Sequence, residues 1–282
     1  MAISFHKNNI HKNGYDFDLL VEKHPTLKQF LVTKHSKTTI NFSDPKAVKE
    51  LNSALLKTYY KINFWDFPDD NLCPPIPGRV DYIHYLSELT EEIEVTVLDI
   101  GTGATCIYPL LGTSTYNWSF VATDISKDSL QNAQKIIDKN QLSSKIQLRH
   151  QPKKEHILQD VAKDSDRFIF TMCNPPFYKS REEAVQVNQR KNKNLQLGNT
   201  RNFSGTSNEL WYKGGEKAFL HTYLYESSLL PTMSKWYTSL VANKDNVKSL
   251  NASAKKLGVK EFKVIPMHQG NKVTRIVCWR FV

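Results

Sequence analysis

Val95-Thr96-Val97-Leu98-Asp99-Ile100-Gly101-Thr102-Gly103 is an apolar, β-branched run that stops at two glycines. Such a run reads as a buried strand entering a tight turn. A short helix should follow to Leu111, and then the pattern recurs. Trp118 to Thr123 is a second strand ending at Asp124, and Ser126 is placed to cap a helix running to about Lys139. Lys145 to Arg149 is a third strand. Arg167 to Met172 is a fourth, running into Asn174-Pro175-Pro176-Phe177. Residues 178–210 are polar, low in apolar periodicity, and read as a loop. Gly215 to Leu230 predicts a helix, Trp236 to Ala242 a fifth strand, and Asn246 to Leu257 a helix closed by Gly258. Lys260 to Pro266 and Val273 to Val282 predict the last two strands, joined at Gly270-Asn271. Alternating strands and helices imply an α/β fold, a mostly parallel sheet covered on both faces. The last two strands have no helix between them and should pair antiparallel.

The first 90 residues read differently. Residues 1–37 are polar and basic, with Lys7, Lys12, Lys23, Lys28, Lys34 and Lys37. They read either as a surface for a polyanion or as a solvated tail. A helix is predicted from Ser43 or Asp44, with Pro45 at its first position and Val48, Leu51, Leu55 and Leu56 on one face. Cys73 to Gly78 is a proline-rich rigid loop, and a second helix follows from about Val80 to Leu89. The expected organisation is a basic, helical extension over residues 1–90 packed on a domain over 91–282, which carries a basic loop at 178–210.

Lys and Arg outnumber Asp and Glu by 38 to 28, a formal charge of +10. That excess points to a nucleic acid partner, with an ordinary basic surface as the plain alternative. Cys73, Cys106, Cys173 and Cys278 are scattered, with no metal-ligand spacing, and are expected to be free thiols in a reducing compartment. No apolar run reaches the roughly 20 residues of a membrane span. The expected setting is nuclear or cytoplasmic, not secreted, and the expected state is a monomer without metal or membrane partner.

Two strand ends carry the chemistry. Ligands of open α/β sheets sit at the carboxyl ends of strands. Asp99, Gly101, Thr102, Gly103 and Thr105 lie at the end of the first strand, and Asp124 ends the second, placed for ribose hydroxyls. The third glycine of a dinucleotide fingerprint is missing; Ile107 stands near its place. That disfavours a pyrophosphate and favours S-adenosylmethionine (SAM), with Asp99 facing the methionine amino group. Asn174-Pro175-Pro176-Phe177 ends the fourth strand beside this site. The Asn174 side-chain oxygen and the Pro175 carbonyl can accept from the two N–H groups of a planar amine, while consecutive prolines hold both acceptors rigid. Phe177 can stack on a base. The alternative is a plain turn. Residues 188–204 contain Arg190, Lys191, Lys193 and Arg201 and no acid, which suits RNA phosphates or a plain solvated loop.

The run Leu98 to Gly112 closely resembles the methyltransferase-like 16 family, as do Pro77 to His84, Cys173 to Phe177, Gly214-Gly215-Glu216 and Asn41 to Val48. The resemblance covers essentially the whole chain. It implies a class I SAM-dependent methyltransferase fold, Rossmann-like, with seven strands and the last antiparallel. It implies adenine-N6 methylation of RNA, with U6 small nuclear RNA as first choice and large-subunit ribosomal RNA, the substrate of bacterial relatives, as second. By the same resemblance Arg79 reaches the SAM carboxylate; Gly101, Thr102, Thr105 and Asp124 contact SAM; Asn174 and Phe177 hold the adenine; and Arg190, with Lys191 and Lys193 nearby, contacts RNA. A protein-glutamine N5 methyltransferase and a non-catalytic RNA-binding protein of the same fold remain as alternatives.

Overall fold

The computed structural model describes residues 5–176, 178–180, 182–183, 211–269 and 272–282. Seven strands form one sheet: β3 (Thr96–Ile100), β4 (Ser119–Asp124), β5 (Ile146–His150), β6 (Phe168–Cys173), β7 (Ser234–Val241), β8 (Glu261–Gln269) and β9 (Lys272–Arg280). Their order is β5-β4-β3-β6-β7-β9-β8. β5, β4, β3, β6 and β7 pair in parallel, while β9 runs antiparallel to both β7 and β8. This is the expected class I methyltransferase sheet. Its switch in strand order falls between β3 and β6, so the carboxyl ends of those strands open onto a crevice.

Side chains alternate across the pleat. Val97 and Met172 belong to one buried cluster, and their neighbours Leu98 and Cys173 to another. The first face is covered by α2 (Pro45–Tyr60), α3 (Ile76–Ser87), α4 (Ile107–Tyr116) and α5 (Lys127–Lys139). The second is covered by α6 (Gly215–Leu229) and α7 (Lys244–Lys256). The caps are those the sequence suggested. Asp44 accepts from the Lys46 N–H and Ser126 from the Ser129 N–H, and Gly258 follows α7 with φ +80°. All four cysteines are free thiols.

The N-terminal 37 residues are not a solvated tail where described. They hold α1 (Phe17–Lys23) and begin a hairpin of β1 (Leu31–Lys34) and β2 (Lys37–Ile40). Leu20, Leu27 and Ile40 join the same buried cluster as the sheet. The polar residues are buried too. The His6 N–H donates to Asp81 Oδ1 at 3.0 Å, and Asn9 Nδ2 donates to Asp81 Oδ1 at 2.6 Å and to the Pro77 carbonyl at 2.9 Å. Those bonds fasten the segment to α3, while its lysines stay exposed. A polar stretch can thus be core when its partners are polar and buried.

At Gly112 helix α4 packs closely on the sheet. A Cβ there would stand 2.7 Å from Phe120 Cε2 and closer still to Cζ. The Phe120 ring is itself buried and cannot swing away. Gly112→Ala should therefore lose about 2–3 kcal/mol to overpacking, more than the helix-propensity gain of about 1 kcal/mol. A thermal melt below that of the parent protein checks this; an unchanged or higher midpoint would contradict it.

Candidate active site

Register sets the site. Ile100 pairs with Thr123 on one side and Cys173 on the other. The residues that follow, Gly101, Asp124 and Asn174, therefore leave the sheet side by side. The turn after β3 is stitched to β4: the Gly101 and Thr102 N–H groups both donate to the Thr123 carbonyl at 2.9 Å. Gly101 and Gly103 take positive φ, +75° and +63°, which glycine adopts without strain. The turn is held from behind as well. Trp65 Nε1 donates to the Thr105 carbonyl at 3.0 Å, and Asn132 Nδ2 to the Ala104 carbonyl at 2.8 Å.

Arg79, Gly101, Thr102, Gly103, Thr105, Asp124, Asn174 and Pro176 all line one cleft. Pro175 is buried beside it, and Asp99 is wholly buried. Phe177, Arg190, Lys191, Lys193 and Arg201 lie outside the described residues. Asp124 is set by its own backbone surroundings. Its Oδ2 accepts from the Gly103 N–H at 2.9 Å and its Oδ1 from the Ser126 N–H at 2.8 Å. Burial raises its pKa, against the pull of those N–H donors. Lone pairs remain on both oxygens for hydroxyl donors.

Asp99 is different. Neither carboxyl oxygen finds a hydrogen-bond partner among the described residues. Thr102 Oγ1 and Arg79 Nε are buried and unpartnered in the same way. The Arg79 guanidinium is aimed by Tyr108: its Nη1 donates to the hydroxyl at 2.9 Å, and its Cζ lies 5.6 Å from the ring centre. Burial pushes the Asp99 carboxyl up to about 7; the adjacent Thr102 hydroxyl and Arg79 oppose this and nearby Asp124 adds to it. An unmet acceptor beside unmet donors is the complement of an α-amino acid, which brings an ammonium and a carboxylate.

Several lining residues were not among the predicted ones. Tyr108 lies in the first turn of α4, where only its neighbour Arg79 gives it meaning. Gln151, Lys154, His156 and Ile157 come from the loop after β5. That loop is pinned by Glu226 of α6, whose carboxylate accepts from the Ile157, Leu158 and Gln159 N–H groups at 2.6–3.2 Å. Trp211 and Tyr212, which follow the polar stretch 178–210 in sequence, also line the cleft. Among the described residues no three His, Cys, Asp or Glu side chains converge as a metal site, and no described helix is long and apolar enough to cross a membrane.

A family model described as RNA methyltransferase matches residues 1–282. The chain belongs to this RNA methyltransferase family. Ribosomal RNA large subunit methyltransferase F of Flavobacterium johnsoniae is 47% identical over 296 aligned positions, covering 99% of this chain and 94% of the relative. The protein of that name from Pseudoalteromonas translucida is 46% identical, covering 98% and 92%. Among solved structures, the catalytic domain of hMettl16 in complex with a MAT2A 3′UTR hairpin superposes with a TM-score of 0.87 at 31% identity, covering 99% of this chain and 96% of that one. The N-terminal domain of human METTL16 in complex with SAH gives a TM-score of 0.81 at 28% identity, covering 99% of each.

As a family member the chain is a SAM-dependent enzyme, and the cleft fits that donor. Asp99 could accept from an ammonium, Arg79 and Thr102 could donate to a carboxylate, and Asp124 could accept from ribose hydroxyls. Below about pH 7 the free protein holds Asp99 protonated. Its stabilising contribution is complete below the ordinary value of 3.8 and is lost as the pH rises through about 7. An ammonium partner favours the charged form, so binding must expel the proton. Calorimetric SAM affinity should accordingly rise with pH up to about 7, by at most about tenfold per pH unit. Asp99→Asn should bind weakly and lose that rise. A flat profile in the parent protein would separate Asp99 from the ammonium.

Proposed function

We propose that the protein methylates the N6 amine of an adenosine in large-subunit ribosomal RNA. The observation that carries this reading is that Asn174 and Pro176 share one cleft with Asp124 and the unpartnered Thr102 and Arg79 groups, while the unpartnered Asp99 is buried two residues before Gly101 of that cleft. SAM supplies an electrophilic methyl on a cationic sulfur. The protein's part is to present an amine to it. The exocyclic nitrogen of adenine is flat, its lone pair delocalised into the ring. The Asn174 side-chain oxygen and the Pro175 carbonyl accept its two hydrogens and favour a more tetrahedral nitrogen. Pro175 and Pro176 fix both acceptors in advance, so little reorganisation accompanies the reaction. No strong base is required, because the nitrogen becomes acidic once alkylated and releases its proton to solvent. Holding amine and methyl in line supplies the rest of the rate enhancement.

The choice of RNA rests on relatives. The curated relatives cited above carry ribosomal names, and they match this chain at 46–47% identity, against 31% for the hMettl16 domain. That favours ribosomal RNA over U6 small nuclear RNA. The family is one of RNA enzymes, which leaves the protein-glutamine reading without support. Arg190, Lys191, Lys193 and Arg201 are proposed to face RNA phosphates; these residues lie outside the described part of the chain.

The test is methyl transfer from tritiated SAM to unmodified transcripts of large-subunit ribosomal RNA and of U6. Label should appear as N6-methyladenosine in the ribosomal transcript. Asn174→Ala should reduce it by about 100-fold or more, the scale of losing one preorganised polar contact. Label in U6 alone would transfer the reading to that RNA.

A further inference from the structure

Acceptors at Asn174 and Pro175 can hold an amine and Phe177 can cover one face of the ring, yet a base extruded from RNA has a second face that needs a wall. The chain provides one from a distance. Tyr178, just after the motif, forms a parallel bridge with Trp211. The Tyr212 N–H donates to the Tyr178 carbonyl at 3.0 Å, and the Gly215 N–H to the Tyr212 carbonyl at 2.7 Å, just as α6 begins. Trp211 is thus tied to the backbone four residues beyond Asn174, and both line the same cleft.

The two returning aromatics are placed differently. Tyr212 is committed to structure. Its ring meets the edge of Phe219 at 5.3 Å, and its hydroxyl reaches the Glu155 carbonyl and Thr222 Oγ1 at 3.3 and 3.4 Å. Trp211 is only half-buried and no ring contact holds it among the described residues. Its attachment in the chain also sets it apart from the groups suited to SAM. The groups suited to SAM stand at the ends of β3 and β4, whereas Trp211 is bonded to the chain leaving β6, on the substrate side.

We propose that Trp211 is a second stacking wall for the target base, a substrate-binding residue that holds the adenine ring while Asn174 and Pro175 take its amine. This rests on the adenine reading above. An indole offers a large π-face to any base, so it fixes the plane and leaves the choice of base to the polar acceptors.

The experiment compares the parent protein with Trp211→Ala, Trp211→Leu and Trp211→Phe, on unmodified large-subunit ribosomal RNA transcript under single turnover. Trp211→Ala and Trp211→Leu should slow transfer at saturating RNA and SAM by about ten- to hundredfold, the rate equivalent of one stacking contact. SAM affinity by calorimetry and RNA affinity by filter binding should stay within about twofold, since phosphate contacts dominate RNA affinity. Trp211→Phe should recover most of the rate. The leucine variant keeps an apolar side chain in the cleft, so a loss there with recovery by phenylalanine separates stacking from folding. Unchanged rates in all three variants would overturn the proposal, as would weakened SAM binding with normal transfer at saturation. A parent protein that labels no adenine would instead overturn the adenine reading itself.

Discussion

A buried carboxylate without a partner is a costly thing to build, and the site depends on one. Asp81, Asp99, Asp124, Glu216 and Glu226 are the buried acids among the described residues. Four of them accept nitrogen-bound hydrogens from loops. Asp81 takes His6 and Asn9; Asp124 takes Gly103 and Ser126; Glu216 takes the Ala242 and Asn243 N–H groups and Asn246; Glu226 takes residues 157–159. Only Asp99 has neither oxygen engaged. The first four acids tie the molecule together. Asp99 is held by strand β3 in a place where it relieves its desolvation by taking up a proton or by meeting a cation.

That division explains how distant segments reach one cleft. The loop after β5 would be loosely tethered by its own residues. Glu226, far along the chain in α6, gathers its successive N–H groups and sets Ile157 in the wall. Glu216 does the same for the chain leaving β7. These clamps are charge-assisted and shielded from water, so each is stronger than an ordinary backbone bond. The loops they hold therefore behave as part of the sheet, and the distance between the β3 and β6 ends is fixed by strand pairing.

The sheet and the two strand-end motifs were legible because both depend on local pattern. β-branched runs closed by glycine give strands, and a proline pair directly after such a run can be placed at its carboxyl end. The N-terminal segment was not legible. His6, Asn9 and His11 look like solvated residues until Asp81 and Tyr60, some 50 to 75 positions away, are brought against them. Tyr108 was hidden for the same reason, since its role lies in aiming Arg79 rather than in any motif of its own. Trp211 follows a long stretch without periodicity, and only the bridge to Tyr178 reveals where it returns.

The arrangement also accounts for how one cleft handles two ligands of opposite character. The end at β3 and β4 is polar and rigid, with acceptors and donors left unmet until an amino acid and a ribose arrive. The end at β6 is built from proline, aromatic rings and one amide, and holds no charged side chain among those named for the chemistry. On the proposed reading a neutral base would enter a surface that does not compete for its proton, while the cation would stay beside Asp99. The sheet keeps the two ends apart by one strand spacing, about 5 Å, close enough for group transfer once both are filled. What the fold supplies to catalysis is that fixed separation, and the register of Ile100 with Cys173 is what sets it.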